Sequence, residues 1–168
     1  MKQEKTKPKQ LPRKRVSVIR TLAVREKSVL YEGRCIRTPE DAVRLIHPFV
    51  VHAGKEHLIV CCLDGKNQPV SVEVVAVGTV NQCPAQMREI FKNAVLSNAV
   101  SIILFHNHPS GDCSPSEEDV LFSQRLRKAG ELLGIPVLDH MILGQDSFKS
   151  LADTLEWRTW TEGSRRIA

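Results

Sequence analysis

Residues 99–105 read "AVSIILF", an apolar run that passes straight into "HNHPSGDCSPSEED" at 106–119. The run is a buried strand, and its end holds two histidines, a Gly turn and four carboxylates within fourteen positions. So many polar groups at the end of a buried strand constrain the chain to two readings. Either this is a surface loop that happens to hold histidines, or it is a metal site.

The neighbouring elements set the fold class. "EHLIVCCLD" (56–64) is a second, nearly continuous apolar run, as expected of a central strand covered on both faces. "GKNQ" is a turn, and "PVSVEVVAVG" (69–78) returns as the antiparallel partner. "PVLDHMILG" (136–144) is a further strand, "SFKSL" (147–151) a short one, and "VSVIRTLAV" (16–24) is β-rich enough to predict a first strand. Helices alternate with these. One opens at "TPEDAVRLI" (38–46), with Thr38 as N-cap and Pro39 at the first helical position, and should end or kink at Pro48. A second spans 84–98, with Met87, Ile90, Phe91, Ala94 and Val95 on one face, and a third spans 115–134, with Val120, Leu121, Leu126 and Ala129 near one stripe. Strands alternating with helices around one central hairpin predict an α/β domain with a mixed sheet and helices on its faces.

On this frame the 106–119 segment acquires geometry. His106 and His108 are two apart, so a strand continuing through them projects both imidazoles from one face, with Asn107 turned away. Pro109, Ser110 and Gly111 end the strand. A helix start follows, for which Ser114 as N-cap, Pro115 and Glu117 supply an S-x-x-E capping box. Ser116 and Asp119, three apart, then share a face. Two His and one Asp are three nitrogen and oxygen ligands at the C-terminal end of a strand, where open α/β sheets bind their ligands. A tetrahedral zinc ion held this way keeps a fourth position for water, whose pKa it lowers from 15.7 to about 7. The same triad also suits non-haem iron. H-E-x-x-H and the H-x-E…P-C-x-x-C pattern of zinc deaminases are both absent.

Charge and cysteine content bound the setting. Residues 1–20 hold eight of the 24 Lys and Arg and one of the 19 acids, a basic tail of net +7, while 21–168 is net −2. Such a tail is too polar to bury a core and reads as solvated and disordered, with weak nucleic-acid contact as the functional alternative. It has no apolar h-region, and no apolar run is long enough to span a bilayer. Five cysteines without a C-x-x-C pair argue against a disulfide framework, and Cys61 and Cys62 read as small core residues on opposite faces of one strand. The chain reads as cytoplasmic.

His106, His108, Ser116 and Asp119 match the spacing of the JAMM motif of MPN/JAB metalloproteases, H-x-H, seven residues, then S-x-x-D. With "GTVNQCPAQMREIFKNAVLSNA" before it and "LLGIPVLDHMILG" after it, the segment resembles the RadC branch of that family over roughly residues 38–151. The resemblance implies a three-layer α/β/α, cytidine-deaminase-like domain over 21–168. It further implies a zinc-dependent peptidase or isopeptidase acting on a protein or peptide, one zinc per chain. His106, His108 and Asp119 would be the ligands and Ser116 the donor to the oxyanion. The family also uses an upstream glutamate as proton shuttle. Glu56 is the best match, and Glu73 on the facing hairpin strand is its competitor. Asp139 and His140 also fit the RadC pattern, either orienting the ligands or as satisfied core polar residues. His47, His52 and His57 have no spacing that recommends them. Longer RadC proteins carry a helix-hairpin-helix-like region before this domain, where this chain has the basic tail. A DNA-repair role thus finds no DNA-binding module of that kind here. The rival function is a non-catalytic, DNA-associated accessory protein that keeps a structural metal and binds through the tail, and a small-molecule amidase on the same scaffold is a third.

Overall fold

The computed structural model describes residues 15–78, 85–154 and 157. Its elements are α1 (Pro39–Val50), β1 (His57–Leu63), β2 (Pro69–Val77), α2 (Met87–Leu96), β3 (Ser101–Asn107), α3 (Glu117–Leu133), β4 (Val137–Leu143) and β5 (Phe148–Ser150). The sheet order is β2-β1-β3-β4-β5. Only the β3–β4 pair is parallel, joined through α3, and the other pairs are antiparallel. This is the mixed α/β sheet expected of an MPN/JAB domain.

Strand alternation sorts the core into two layers. Leu58, Val60, Cys62, Ile102 and Leu104 pack with Ile90, Phe91 and Ala94 of α2 and Leu126 of α3. Ile59, Cys61, Leu63, Ile103 and Phe105 pack with Ala42, Leu45 and Ile46 of α1. Cys61 and Cys62 are both fully buried on opposite faces, as their adjacency requires. Burial on both sides makes β1 and β3 rigid, so what stands at their ends is held firmly.

Several local expectations are corrected. Residues 16–24 form no strand: Val16, Val18, Ile19, Leu22 and Val24 are all exposed, because β-propensity without a pairing partner does not make a strand. Pro48 does not stop α1, which runs on to Val50. In α2, Val95 lies exposed beside the buried Ile90, Phe91 and Ala94. In α3 the sheet-facing stripe is Ser123, Leu126, Arg127 and Gly130, while Leu121 is exposed. Gly130 sits there because a Cβ would lie 2.6 Å from the Ile135 carbonyl oxygen. Arg127 is buried by stacking on Trp157, its Nη1 donating to the Trp157 carbonyl at 2.9 Å. No helix among the described residues is long and apolar enough to cross a membrane. The expectations that fall on residues 1–14, 79–84, 155–156 and 158–168 lie outside the described residues.

Candidate metal centre

β3 continues through His106 and Asn107, so the buried strand delivers its first histidine at its very end. His108 follows, its N–H donating to the Leu143 carbonyl of β4 at 2.8 Å. The chain then turns. Gly111 has φ +86°, in the left-handed region that favours glycine. Gly144 passes so close that a Cβ on it would lie 2.3 Å from the Gly111 carbonyl oxygen. The turn is thus seated on the end of β4.

α3 begins two residues later than the sequence predicts. Ser114 is not its N-cap: the Ser114 N–H donates to Asp112 Oδ1 at 2.9 Å, closing an Asx turn. The pattern S-x-x-acid occurs twice in this segment, offset by two, and the second copy forms the cap. Ser116 is the N-cap and Asp119 the third helical residue, with Asp119 N–H donating to Ser116 Oγ at 3.1 Å and Ser116 N–H to Asp119 Oδ2 at 2.8 Å. Ser116 Oγ also donates to Asp119 Oδ2, at 2.6 Å. The cap therefore holds one carboxylate oxygen and leaves Oδ1 directed at His106, 3.3 Å from its Nε2.

His106, His108 and Asp119 each offer a ligand atom within 4.8 Å of the others. The two Nε2 atoms face each other at 2.8 Å. Both Nδ1 atoms are engaged elsewhere, His108 with the Asp112 carbonyl at 2.7 Å and His106 with His140 Nε2 at 2.8 Å. A carbonyl only accepts, so His108 Nδ1 carries the proton and its Nε2 presents a lone pair. A lone pair from His108 and an anionic oxygen from Asp119 converge with His106 Nε2 on one point. That donor set fits a divalent cation of borderline softness such as zinc. Burial pulls His106 below the ordinary imidazole range, against the opposing pull of Asp119, and favours its neutral, ligating form.

Glu56 immediately precedes β1. The β1–β3 register pairs Leu58 with His106, so two residues further out Glu56 comes opposite His108. Burial lifts its carboxyl above the ordinary range; His108 opposes this and Asp119 adds to it. Glu73 pairs with Val60 in the middle of the edge strand β2. Its carboxyl is also lifted by burial, but its charged neighbours are Lys92, Glu89 and Glu26, none of them at the histidines. Of the two carboxylates, Glu56 alone feels the charges of the cluster.

The pair Asp139–His140 divides. Asp139 faces the β5 side, accepting from Ser150 Oγ at 2.6 Å and from the Ala152 N–H at 3.0 Å, and takes no part in the cluster. His140 is buried and contacts His106 directly. Sequence reasoning missed Ser123 and Asn107. Ser123 Oγ lies 2.5 Å from His140 Nδ1. Asn107, expected to point away, does so and binds the chain around Glu56: its Oδ1 accepts from His57 N–H at 2.8 Å and its Nδ2 donates to the Lys55 carbonyl at 3.1 Å. His57 itself bonds the Lys55 carbonyl, and His47 and His52 lie outside the cluster.

Comparison with known proteins agrees with the geometry. Residues 36–157 match the family described as RadC-like JAB domain. The chain is 43% identical over 120 residues to a UPF0758 protein of Methanosarcina barkeri, covering 71% of this chain and 52% of that one. It is 47% identical over 116 residues to a UPF0758 protein of Desulforudis audaxviator, covering 69% of this chain and 50% of that one. A UPF0758 protein of Listeria monocytogenes is 42% identical over 118 residues, covering 70% and 53%. The chain thus spans about half the length of the curated relatives it matches, and their names assign no activity. With the match running from Ile36, three residues before α1, to Trp157 and enclosing the whole His–His–Asp cluster, the chain belongs to the RadC-like JAB domain family.

Proposed function

We propose that this protein is a zinc-dependent metallopeptidase or isopeptidase, hydrolysing an amide bond in a protein or peptide. The observation that carries the reading is the convergence of His106, His108 and Asp119 ligand atoms within 4.8 Å, beside a carboxyl whose proton affinity burial has raised. A structural metal needs no such carboxyl. When bound, zinc polarises a carbonyl and makes water a competent nucleophile near neutral pH.

The chain's own groups divide the remaining work. His106 Nε2, His108 Nε2 and Asp119 Oδ1 hold the ion. Glu56 takes a proton from the attacking water and delivers it to the leaving nitrogen as the C–N bond breaks, a task suited to a carboxyl that burial lifts above its ordinary range. Ser116 is exposed at the mouth of the site, and its hydroxyl is available to donate to the oxyanion once rotated from Asp119 Oδ2. The free thiols Cys35, Cys61, Cys62 and Cys113 accord with a reducing, cytoplasmic setting. Contact of the basic residues 1–20 with nucleic acid would be an additional, salt-sensitive property.

The test is metal content by elemental analysis, then amide cleavage across a peptide and isopeptide library. One zinc per chain, with cleavage lost in Glu56→Gln while zinc is retained, supports the enzyme. A zinc protein that cleaves nothing, and in which Glu56→Gln changes no function, supports the accessory role instead.

A further inference from the structure

His140 and Ser123 belong to neither the ligand set nor the proton shuttle, yet they form a continuous hydrogen-bonded line into it. Ser123 Oγ lies 2.6 Å from the carbonyl oxygen of Asp119, one helical turn back, and 2.5 Å from His140 Nδ1. His140 Nε2 lies 2.8 Å from His106 Nδ1. His140 and Ser123 are both buried, so water does not complete these bonds.

The proton positions follow from one end. The Asp119 carbonyl can only accept, so the single hydroxyl hydrogen of Ser123 points to it. Ser123 Oγ must then accept from His140, which places the His140 proton on Nδ1. A neutral imidazole carries one N–H, so His140 Nε2 is a bare lone pair and accepts from His106. The His106 proton is therefore on Nδ1, which leaves its Nε2 bare, 2.8 Å from the equally bare His108 Nε2, an opposition of lone pairs that a bound cation relieves.

We propose that Ser123 and His140 are a positioning relay, anchored on the Asp119 backbone, that fixes His106 in the Nδ1–H form and so presents its Nε2 to the metal. The inference deepens the metallopeptidase reading and rests on it only for the identity of the ion. The same turn of α3 supplies one ligand by its side chain and sets the tautomer of another through its carbonyl. Ligating histidines commonly donate their second N–H to a fixed acceptor, and losing such an acceptor costs about 10- to 100-fold in metal affinity. Here the acceptor is a second imidazole, whose own tautomer has to be set, and Ser123 sets it.

The experiment uses 15N-labelled full chain freed of metal, at pH 8, with imidazole tautomers read from two-bond 1H–15N correlations. Wild-type His140 is expected to show a protonated Nδ1 and a bare Nε2, the reverse of the form that prevails for histidine in water. In Ser123→Ala, His140 loses its acceptor and its proton moves to Nε2. Zinc affinity, measured by chelator competition, should fall about 10- to 100-fold. Ser123→Thr keeps a hydroxyl able to bond the Asp119 carbonyl and should restore both readouts. A wild-type His140 protonated on Nε2 overturns the relay even if a variant fails to fold. So does a folded Ser123→Ala that binds zinc as tightly as wild type. A wild type with the expected tautomer that binds no zinc upholds the relay and overturns the metal reading alone.

Discussion

Asn107 brackets Glu56, accepting from the amide on one side of it and donating to the carbonyl on the other, at 2.8 and 3.1 Å. The last residue of β3 thereby fixes the backbone of the residue that precedes β1, and with it the distance from the Glu56 carboxyl to His108. Asn107→Ala removes both bonds at a buried position, which should cost about 1–3 kcal/mol in urea denaturation. The His57 amide should also lose protection against hydrogen exchange. Zinc binding should be untouched, while any cleavage activity should fall by about 10²-fold through misplacement of Glu56. Unchanged His57 exchange would show that β1–β3 pairing alone holds this corner.

Asp119 serves the metal and the helix at once, and two substitutions separate the roles. Asp119→Ala should lose both, with about 1 kcal/mol from the missing cap contacts to Ser116. Asp119→Asn keeps a side-chain oxygen to accept from the Ser116 N–H but removes the anionic ligand. Thermal melts with and without zinc check this. Ion at 100 times its Kd should stabilise wild type by about 2.7 kcal/mol, an effect that a chelator reverses and that should be absent in both variants.

Much of this site was legible because its signals are local. H-x-H after an apolar run needs only strand periodicity, and the Thr38 cap needs only three residues of spacing. Where a local signal occurs twice, as in Ser114…Glu117 and Ser116…Asp119, spacing cannot choose, and tertiary contact decides for the copy whose acid faces the histidines. Ser123 gave no signal at all. A serine inside a helix is unremarkable until His140, seventeen residues on, is brought against it by the parallel β3–β4 crossover. The predicted strand at 16–24 failed for the converse reason, having local propensity and no partner.

Gly144 is the tightest point under the His108 turn. Gly144→Ala would place a Cβ 2.3 Å from the Gly111 carbonyl oxygen, with backbone rather than a flexible side chain in the way. The turn has to move, at about 1–3 kcal/mol in urea denaturation, and zinc affinity should weaken with it. Gly54→Ala is the control: nothing lies within 4 Å of its Cβ position, and the change should stay within about 0.5 kcal/mol with metal binding intact.

Asp139 provides a pH test away from the metal. Burial raises its carboxyl pKa, against the hydrogen bonds from Ser150 Oγ and the Ala152 and His140 N–H groups. In the window between its unfolded value, near 3.9, and the raised folded value, the folded chain holds a proton that the unfolded chain has released. The associated stability is fully present below that window and is lost as pH rises through it. Asp139→Asn keeps the acceptor for Ala152 N–H and presents Nδ2 to Ser150 Oγ, and it does not titrate. The urea midpoint of the variant minus that of wild type, taken at intervals from pH 3.5 to 7.5, should therefore rise with pH and level off once wild-type Asp139 is ionised. A flat difference would mean that the folded chain accommodates the charged carboxylate at no cost.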